Sequence, residues 1–540
     1  MKFYEALAAT LKDAGVDTMF GVIGDANLFM VDDYMRRGGA YVSAANESGA
    51  VAMATGFARI TGDLGVATVT HGAISNTITA LIDATRGHDP LLVITGDTAV
   101  EDKQHMQNLP QRDLVMPTGA GFEQLRSPRT LVADVHQALH RARTERRPIV
   151  LNIPVDFTWI GVDYQPRVPA VLDLAGIRPS DDALDRAVGL IASAQRPVVL
   201  AGRGARAIEA KSALLRLAER IGAPVATTLK GNGLFRGEFC DLGFFGNLSS
   251  SAATEVIAAA DCIIAFGAGL NQMTTMRGEL LAGKRVVHVD TDPGALELLT
   301  PVDVAVVGDA GATADVIVAW LDAAEVPPTG FRSDAMEQRL AADRGNLDDD
   351  RIDGTQVPGT VDNVEFLRAL EVAVPAKRTL ILDGGRFWFD SIRVLTAPAP
   401  GDYIHPLNIG SIGLAMSNAI GAAQAKPDRP ALVIIGDGSF MLGGLQEFNT
   451  AVRHGSDVIV VIMNDGAYGA EHLQFRRREM DPAISFFSWP EFAAVAEALG
   501  GQGYTVRASA DLDLLPKVIA NRTAPLLIDV KLDPELIPHP

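Results

Sequence analysis

Residues 436–469 read GDGSFMLGGLQEFNTAVRHGSDVIVVIMNDGAYG, and this stretch decides the fold prediction. It follows the apolar run ALVII and contains a second one, VIVVIM, so it predicts two buried parallel strands joined by a helix. Such strands end at the same edge of an open α/β sheet, where ligands bind. Asp437 and Asp465, one after each strand, would bring two hard oxygen ligands together, a set that suits Mg²⁺ holding a diphosphate.

The turn after the first strand is also suited to an anion. Gly436 and Gly438 would let the backbone approach phosphate closely, and we expect Ser439 to begin a helix whose free N–H groups favour negative charge. Between Gly438 and the Asn–Asp pair lie 25 residues. A GDG turn, this spacing and an Asn/Asp pair after an apolar strand together resemble the motif of thiamine diphosphate-dependent enzymes.

The resemblance implies a metal-ligand set: Asp437, Asp465 and the main-chain carbonyl of Ala467. The family more often has Asn where this chain has Asp465. A second carboxylate adds negative charge beside a diphosphate unless Mg²⁺ offsets it. The alternative interpretation is a pair of ordinary strand-end turns.

A second segment, YVSAANESGAVAMATGFARITG at residues 41–62, is similar to the family's catalytic glutamate segment. The resemblance implies that Glu47 contacts N1′ of the aminopyrimidine, so that N4′ becomes the base that deprotonates C2 of the thiazolium. The alternative is a Glu at a helix start, stabilised only by the helix dipole.

The remaining cofactor candidates lie in HPLNIGSIGLAMSNAIGAAQA, residues 405–425, and in DGGRFWFD. By resemblance, Ile412 would wedge between the two cofactor rings and the Gly410 carbonyl would accept from the amino group. A buried core Ile is the alternative. Gly384 and Arg386 are also predicted to bind the cofactor. The Arg386 fork suits a diphosphate or a substrate carboxylate, or equally a structural salt bridge.

Over its full length the chain resembles acetohydroxyacid synthases, pyruvate decarboxylases and benzoylformate decarboxylases. Short apolar runs alternate with helical patterns, so we predict an α/β protein of three doubly wound parallel-sheet domains. These are a pyrimidine-binding domain at 1–165, a middle Rossmann-like domain at 183–325 and a diphosphate-binding domain at 360–540. The polar stretch 326–359 is predicted to be a linker. The resemblance also implies a homodimer or homotetramer with active sites at the subunit interface.

The substrate-side candidates give a mixed pattern. Asp25 and Glu471 match positions of acidic residues in decarboxylases, whereas Gln111 matches the glutamine of synthases. His105 lies in KQHMQNLPQRD without the paired histidines of pyruvate decarboxylases. His71 replaces a Gly in THGAISN, and it either moves protons near the substrate or is a hydrogen-bonded loop histidine. For Asp25, His105 and Glu471 the alternative is a solvated loop.

The implied activity is that of a thiamine diphosphate-dependent 2-oxo-acid decarboxylase or carboligase, a lyase or transferase acting through a C2 ylid. Protonation after carbon dioxide leaves gives an aldehyde, and capture by an aldehyde or ketone acceptor gives a carboligase of the acetolactate synthase kind. A flavin-dependent 2-oxo-acid oxidase is the other alternative, since FAD occupies the middle domain of some relatives. GAGLNQMTTMRG departs from their FAD-binding stretch, and AGRGARA alone is weak support for a dinucleotide.

Composition sets the remaining bounds. The chain has 540 residues with 47 Lys and Arg against 66 Asp and Glu, a net charge of −19 that argues against a nucleic-acid partner. Two cysteines without a metal or disulfide pattern favour a reducing cytoplasm. The N-terminal residues predict an amphipathic helix rather than a signal peptide, and no apolar run reaches membrane-spanning length.

Overall fold

The computed structural model describes residues 1–168, 177–344 and 356–536. No helix among them is long and apolar enough to cross a membrane. They divide into two compact units, of which the first comprises residues 1–168, 356–396 and 404–536, and the second residues 177–344 and 397–403.

The N-terminal part of the first unit is a parallel sheet in the order β2-β1-β3-β4-β6-β5. Its strands are β1 (Thr18–Gly21), β2 (Ala40–Ser43), β3 (Gly65–Val69), β4 (Leu91–Asp97), β5 (Gly121–Gln124) and β6 (Pro148–Pro154). The helices are α1 (Phe3–Asp13), α2 (Leu28–Arg36), α3 (Glu47–Thr61), α4 (Ile78–Gly87), α5 (Gln111–Val115) and α6 (Leu131–Glu145). Strands β3 and β6 are buried along their whole length, which explains their continuous apolar runs.

The second unit contains the middle sheet, in the order β12-β11-β10-β7-β8-β9 with all its pairs parallel. Counted along the chain, this is the 3-2-1-4-5-6 order of dinucleotide-binding folds. Its strands are β7 (Pro197–Ala201), β8 (Val225–Thr227), β9 (Asp241–Phe244), β10 (Cys262–Phe266), β11 (Arg285–Asp290) and β12 (Val304–Val307). The helices are α7 (Asp181–Ala192), α8 (Ile208–Ile221), α9 (Ser251–Ala259), α10 (Ala310–Ala323) and α11 (Asp334–Asp343).

Helix α11 corrects the linker prediction for residues 326–359. It is ordered by packing, because Leu340 is buried in the apolar cluster of the middle sheet, with Phe331 and Met336 against the same cluster. Residues 345–355 of the predicted linker lie outside the described residues.

The C-terminal sheet completes the first unit, in the order β14-β13-β15-β16-β18-β17, and the pairs of β15 with β13 and with β16 are parallel. Its strands are β13 (Thr379–Leu382), β14 (Tyr403–Ile404), β15 (Ala431–Gly436), β16 (Val458–Asn464), β17 (Gln502–Val506) and β18 (Leu526–Lys531). The helices are α12 (Asn363–Ala373), α13 (Trp388–Val394), α14 (Ala415–Ala425), α15 (Asp437–Ser439), α16 (Leu445–Arg453), α17 (Gly469–Arg477), α18 (Phe492–Ala498), α19 (Ser509–Leu512) and α20 (Leu515–Ala520). The predicted fold class, three parallel-sheet α/β domains, is confirmed.

Helices α3 and α14 join the two sheets of the first unit through a close backbone contact. A Cβ atom at Gly421 would lie 1.9 Å from the Met53 carbonyl oxygen, and one at Gly56 would lie 2.1 Å from that of Asn418. Only glycine fits at either position, so the two helices approach each other more closely than ordinary side chains allow.

Candidate active site

Asp437 and Asp465 lie at the carboxyl ends of neighbouring strands. Strands β15 and β16 pair in parallel with Gly436 opposite Met463, so the two aspartates follow the same edge of the sheet. Asp437 is buried, and the Asp465 side chain is 9% exposed. Burial, and then repulsion by Asp465, raise the pKa of Asp437 to about 7, and burial raises the pKa of Asp465 as well.

This donor set fits a divalent cation. Two buried carboxylates that disfavour each other's charge are the arrangement a hard cation relieves, and oxygen ligands are those Mg²⁺ prefers. Asn464 is held inside the sheet instead, because its side-chain NH2 group donates to Asp529 at 2.9 Å and its side-chain oxygen accepts from the Gly466 N–H at 3.3 Å. Asp465 instead accepts from the Ala467 N–H at 3.1 Å, which holds the predicted third ligand residue beside the pair.

Arg386 forms an ion pair with Asp465. Its Nη2 donates to Asp465 Oδ2 at 2.7 Å and its Nη1 to the Pro534 carbonyl at 2.8 Å, and the side chain is only 2% exposed. Of the alternatives left open for Arg386, the geometry therefore favours the structural salt bridge.

The GDG turn is organised by a buried carboxylate that sequence analysis missed. The helix begins at Asp437, two residues before the predicted Ser439, and passes through an irregular turn at residues 440–444 into α16. Ser439 donates its hydroxyl to Asp383, which also accepts from the N–H groups of Gly384 at 2.8 Å and Gly413 at 3.1 Å. Burial raises the pKa of Asp383 to about 6. It joins the three predicted cofactor segments of the C-terminal sheet at the β13/β15 switch point.

Aromatic rings cover the same turn. A Cβ atom at Gly438 would lie 2.3 Å from the ring of Tyr468, so this glycine makes room for a protein side chain. The Trp489 indole N–H donates to Asp437 Oδ2 at 3.0 Å, and its ring stacks on Phe487 with centroids 4.8 Å apart. Trp489 was not predicted, because nothing in its local sequence indicates a partner 52 residues earlier.

Ile412 and Gly410 lie in the turn before α14. Gly410 has a φ of +78°, a conformation that favours glycine, and it is exposed. Ile412 is half-buried rather than a core residue, and its Cγ2 would lie 3.2 Å from a Cβ atom at Gly384. The three predicted cofactor residues are thus close together at one edge of the sheet.

Glu47 is the first residue of α3, and its carboxylate accepts from the Asn76 amide at 2.9 Å. The connection before it is held from the C-terminal sheet by Glu447. This fully buried carboxylate accepts from the N–H groups of Ala45 at 3.2 Å and Asn46 at 3.1 Å. Sequence analysis missed Glu447, although it lies inside the quoted 436–469 stretch.

Asp25, Thr70 and His71 form a polar cluster at the β1/β3 switch point of the N-terminal sheet. Thr70 donates to Asp25 Oδ1 at 3.0 Å, and His71 Nδ1 lies 3.5 Å from the same oxygen. His71 is buried, and its Nε2 has no hydrogen-bond partner among the described residues. The His105 ring is 5.2 Å from the His71 ring, so the structure brings three of the predicted substrate-side residues together.

Gln111 contacts the turn that follows His71 in this cluster. Its amide donates to the Gly96 carbonyl at 2.8 Å and to Asn152 at 2.7 Å, and its oxygen accepts from the Gly72 N–H at 3.2 Å. The side chain is buried, so the geometry favours a role in holding the turn after His71. Glu471, by contrast, is exposed on the first turn of α17.

The glycine-rich turn AGRGARA of the middle sheet is explained by packing. A Cβ atom at Gly202 would lie 2.2 Å from the Gly267 carbonyl oxygen, and one at Gly204 would lie 2.8 Å from Gly267 Cα. Its glycines therefore give no support for a dinucleotide.

Comparison with known proteins agrees with this geometry. Residues 1–115 match the model of the thiamine pyrophosphate enzyme N-terminal TPP binding domain, 184–317 the central domain and 383–530 the C-terminal TPP binding domain. The chain is 28% identical to a sulfoacetaldehyde acetyltransferase of Rhodobacter capsulatus, covering 98% of this chain and 94% of the relative. It is 27% identical to a probable acetolactate synthase large subunit of Methanocaldococcus jannaschii (99% and 92%), and 29% to a probable 2-ketoarginine decarboxylase of Pseudomonas aeruginosa (95% and 90%).

Proposed function

Because the chain belongs to the thiamine diphosphate-dependent enzymes and is a decarboxylase or carboligase of that family, we propose that it decarboxylates a small 2-oxo acid and protonates the product. The observation that carries this choice is the cluster of Asp25, Thr70 and His71. A buried imidazole with one ring nitrogen held near a carboxylate and the other unpartnered is suited to general acid–base catalysis.

The cofactor-side residues have different proposed roles according to where they lie. When bound, thiamine diphosphate supplies the electron sink that makes loss of carbon dioxide possible. Asp437, Asp465 and the Ala467 carbonyl would hold Mg²⁺, and Gly438 and Ser439, which follow Asp437 in the same short helix, would contact the diphosphate. Glu47 holds a proton at N1′ of the pyrimidine. Gly384, Gly410 and Ile412 would contact the rings of the cofactor.

On the substrate side, His71 exchanges a proton through Nε2 while Asp25 and Thr70 hold its Nδ1. His105 lies beside the His71 ring as a second proton carrier. Glu471 would transfer a proton after carbon dioxide loss, and its exposure is consistent with a site completed by a second subunit. We therefore propose a homodimer or homotetramer. Cytoplasmic localisation is consistent with Cys240 and Cys262, which are both free.

Product analysis tests the proposed reaction. A panel of 2-oxo acids should be assayed with Mg²⁺ and thiamine diphosphate for carbon dioxide, aldehyde and acyloin. We expect aldehyde as the main product, and His71→Phe should lower its rate by roughly 10²- to 10⁴-fold with cofactor affinity retained. Acyloin or acetolactate as the main product with every acid would reject the decarboxylase in favour of a carboligase. Flavin absorption by the purified protein would support the oxidase alternative.

Cofactor binding tests the site itself. Asp437→Ala removes one predicted Mg²⁺ ligand, so calorimetry should show greatly weakened binding of thiamine diphosphate while circular dichroism shows a retained fold. Asp513→Ala, at an exposed position directly after α19, is the matched control. Equal affinity in wild type and Asp437→Ala would place the diphosphate site elsewhere.

A further inference from the structure

We propose that Arg386 is the counter-ion that allows Asp465 to occupy a metal-ligand position where related enzymes more often have Asn. The inference rests on the proposed cofactor site and goes beyond it, because it concerns a residue outside the ligand set. It explains how this chain carries one more buried carboxylate than the common pattern beside a diphosphate.

Negative charge accumulates at the proposed diphosphate site. Asp437 and Asp465 are both buried, and a diphosphate adds further negative charge at the same edge of the sheet. With Asn at position 465, one divalent cation would face a single carboxylate. With Asp, the cation must offset a second one, which weakens diphosphate binding unless another positive charge is present.

Arg386 supplies that charge with a fixed geometry. Its Nη2 contacts Asp465 Oδ2 at 2.7 Å, while the Pro534 carbonyl holds Nη1 at 2.8 Å. Both terminal nitrogens of the guanidinium are therefore engaged within the protein, whereas Nε is buried without a hydrogen-bond partner among the described residues. Asp465 keeps lone pairs for a cation, because each carboxylate oxygen accepts more than one bond.

The fold makes room for this pair at Gly469. A Cβ atom there would lie 2.5 Å from Arg386 Nε and 2.7 Å from Asp465 Oδ2, so any side chain at position 469 would displace one of them. The ion pair therefore requires glycine as the first residue of α17. A pair formed only by chance contact at the surface would be exposed and would not need a glycine beside it.

A double-mutant cycle tests the inference. Calorimetry with Mg²⁺ would measure thiamine diphosphate affinity for wild type, Arg386→Gln, Asp465→Asn and the double variant, and melting temperatures without metal give a second readout. Arg386→Gln alone leaves Asp465 uncompensated, so we expect affinity to fall about tenfold or more, since removing one partner of a buried pair is costly. The double variant restores the Asn pattern, and we expect its affinity within about threefold of wild type because the two changes are coupled.

Losses that simply add in the double variant, in affinity and in melting temperature, would overturn the proposal. Arg386→Lys keeps the charge without the fork and answers the same question should the double variant fail to fold: affinity equal to that of Arg386→Gln would also overturn it. Asp437→Ala separates the two levels of inference. If that variant binds cofactor normally, the proposed site is wrong, whereas weak binding together with an additive cycle rejects only the role of Arg386.

Discussion

Replacing Glu447 with Gln should loosen the connection that carries Glu47. The Glu447 carboxylate accepts from two backbone N–H groups, those of Ala45 and Asn46. Hydrogen bonds to a charged acceptor contribute about 1.5–3 kcal/mol each and neutral ones about 0.5–1.5 kcal/mol. Burial raises the pKa of Glu447, so part of this gain offsets the cost of burying its charge. We therefore expect a net loss of about 1–2 kcal/mol in the free energy of local opening, a factor of roughly 5–30.

Hydrogen–deuterium exchange measured by mass spectrometry reports this opening directly. The peptide containing residues 43–49 should exchange roughly 5- to 30-fold faster in Glu447→Gln. Glu497→Gln, at an exposed position of α18, is the matched control and should leave that peptide unchanged. Because Glu47 is two residues beyond Ala45, C2–H exchange of the bound cofactor should slow in the same variant. Unchanged exchange of residues 43–49 would show that Glu447 does not hold the connection.

Three further outcomes are expected. Glu47→Gln should bind thiamine diphosphate but slow C2 proton exchange by ~10² to 10⁴, as measured by NMR, and wild-type exchange would reduce Glu47 to a helix-start residue. Burial raises the pKa of Asp437 to about 7, above its unfolded value of about 3.9, so the metal-free protein should lose stability as pH rises from about 4 to 7. Melting temperatures from pH 5 to 8 should show this decline for the wild-type protein in chelator. The decline should be smaller for wild type with Mg²⁺ and cofactor, and smaller for Asp437→Asn. The same pH profile in all three samples would contradict the assignment of the decline to Asp437. Gly421→Ala should destabilise the protein by about 1–3 kcal/mol because its Cβ meets the Met53 carbonyl, whereas Gly189→Ala in α7, where the Cβ meets nothing within 4 Å, should be neutral or stabilising in the same melting experiment.

The strands that precede the proposed site residues could be predicted from the sequence because both faces of each sheet are covered by protein. Apolar runs such as VIVVIM are then continuous, and polar residues directly after them lie at one edge. Asp437 and Asp465 follow from this rule without knowledge of the rest of the chain. Sheet order does not follow from it. That the N- and C-terminal sheets share one order and the middle sheet has another depends on packing between distant segments.

The missed residues share a physical cause. Asp383 looks like an ordinary turn residue in LILDGG, and it becomes a buried acceptor only when Gly413 and Ser439 fold against it. Arg386 was predicted as a site residue, but its role stayed open between anion binding and a salt bridge because its partner lies 79 residues later. Helix α11 was predicted as a linker because its sequence is polar, yet Leu340 is buried in the cluster of the middle sheet, and Phe331 and Met336 pack against the same cluster. Long-range partners of this kind leave no local pattern.

The contact between Trp489 and Asp437 gives the protein a built-in optical probe. The chain has four tryptophans, and this one donates its indole N–H to a predicted metal ligand at 3.0 Å. Because indole emission responds to the electric field across the ring, a cation arriving at Asp437 would shift the colour or intensity of Trp489 fluorescence. Stopped-flow mixing could then time the arrival of Mg²⁺ separately from that of thiamine diphosphate, without a label and before any turnover begins.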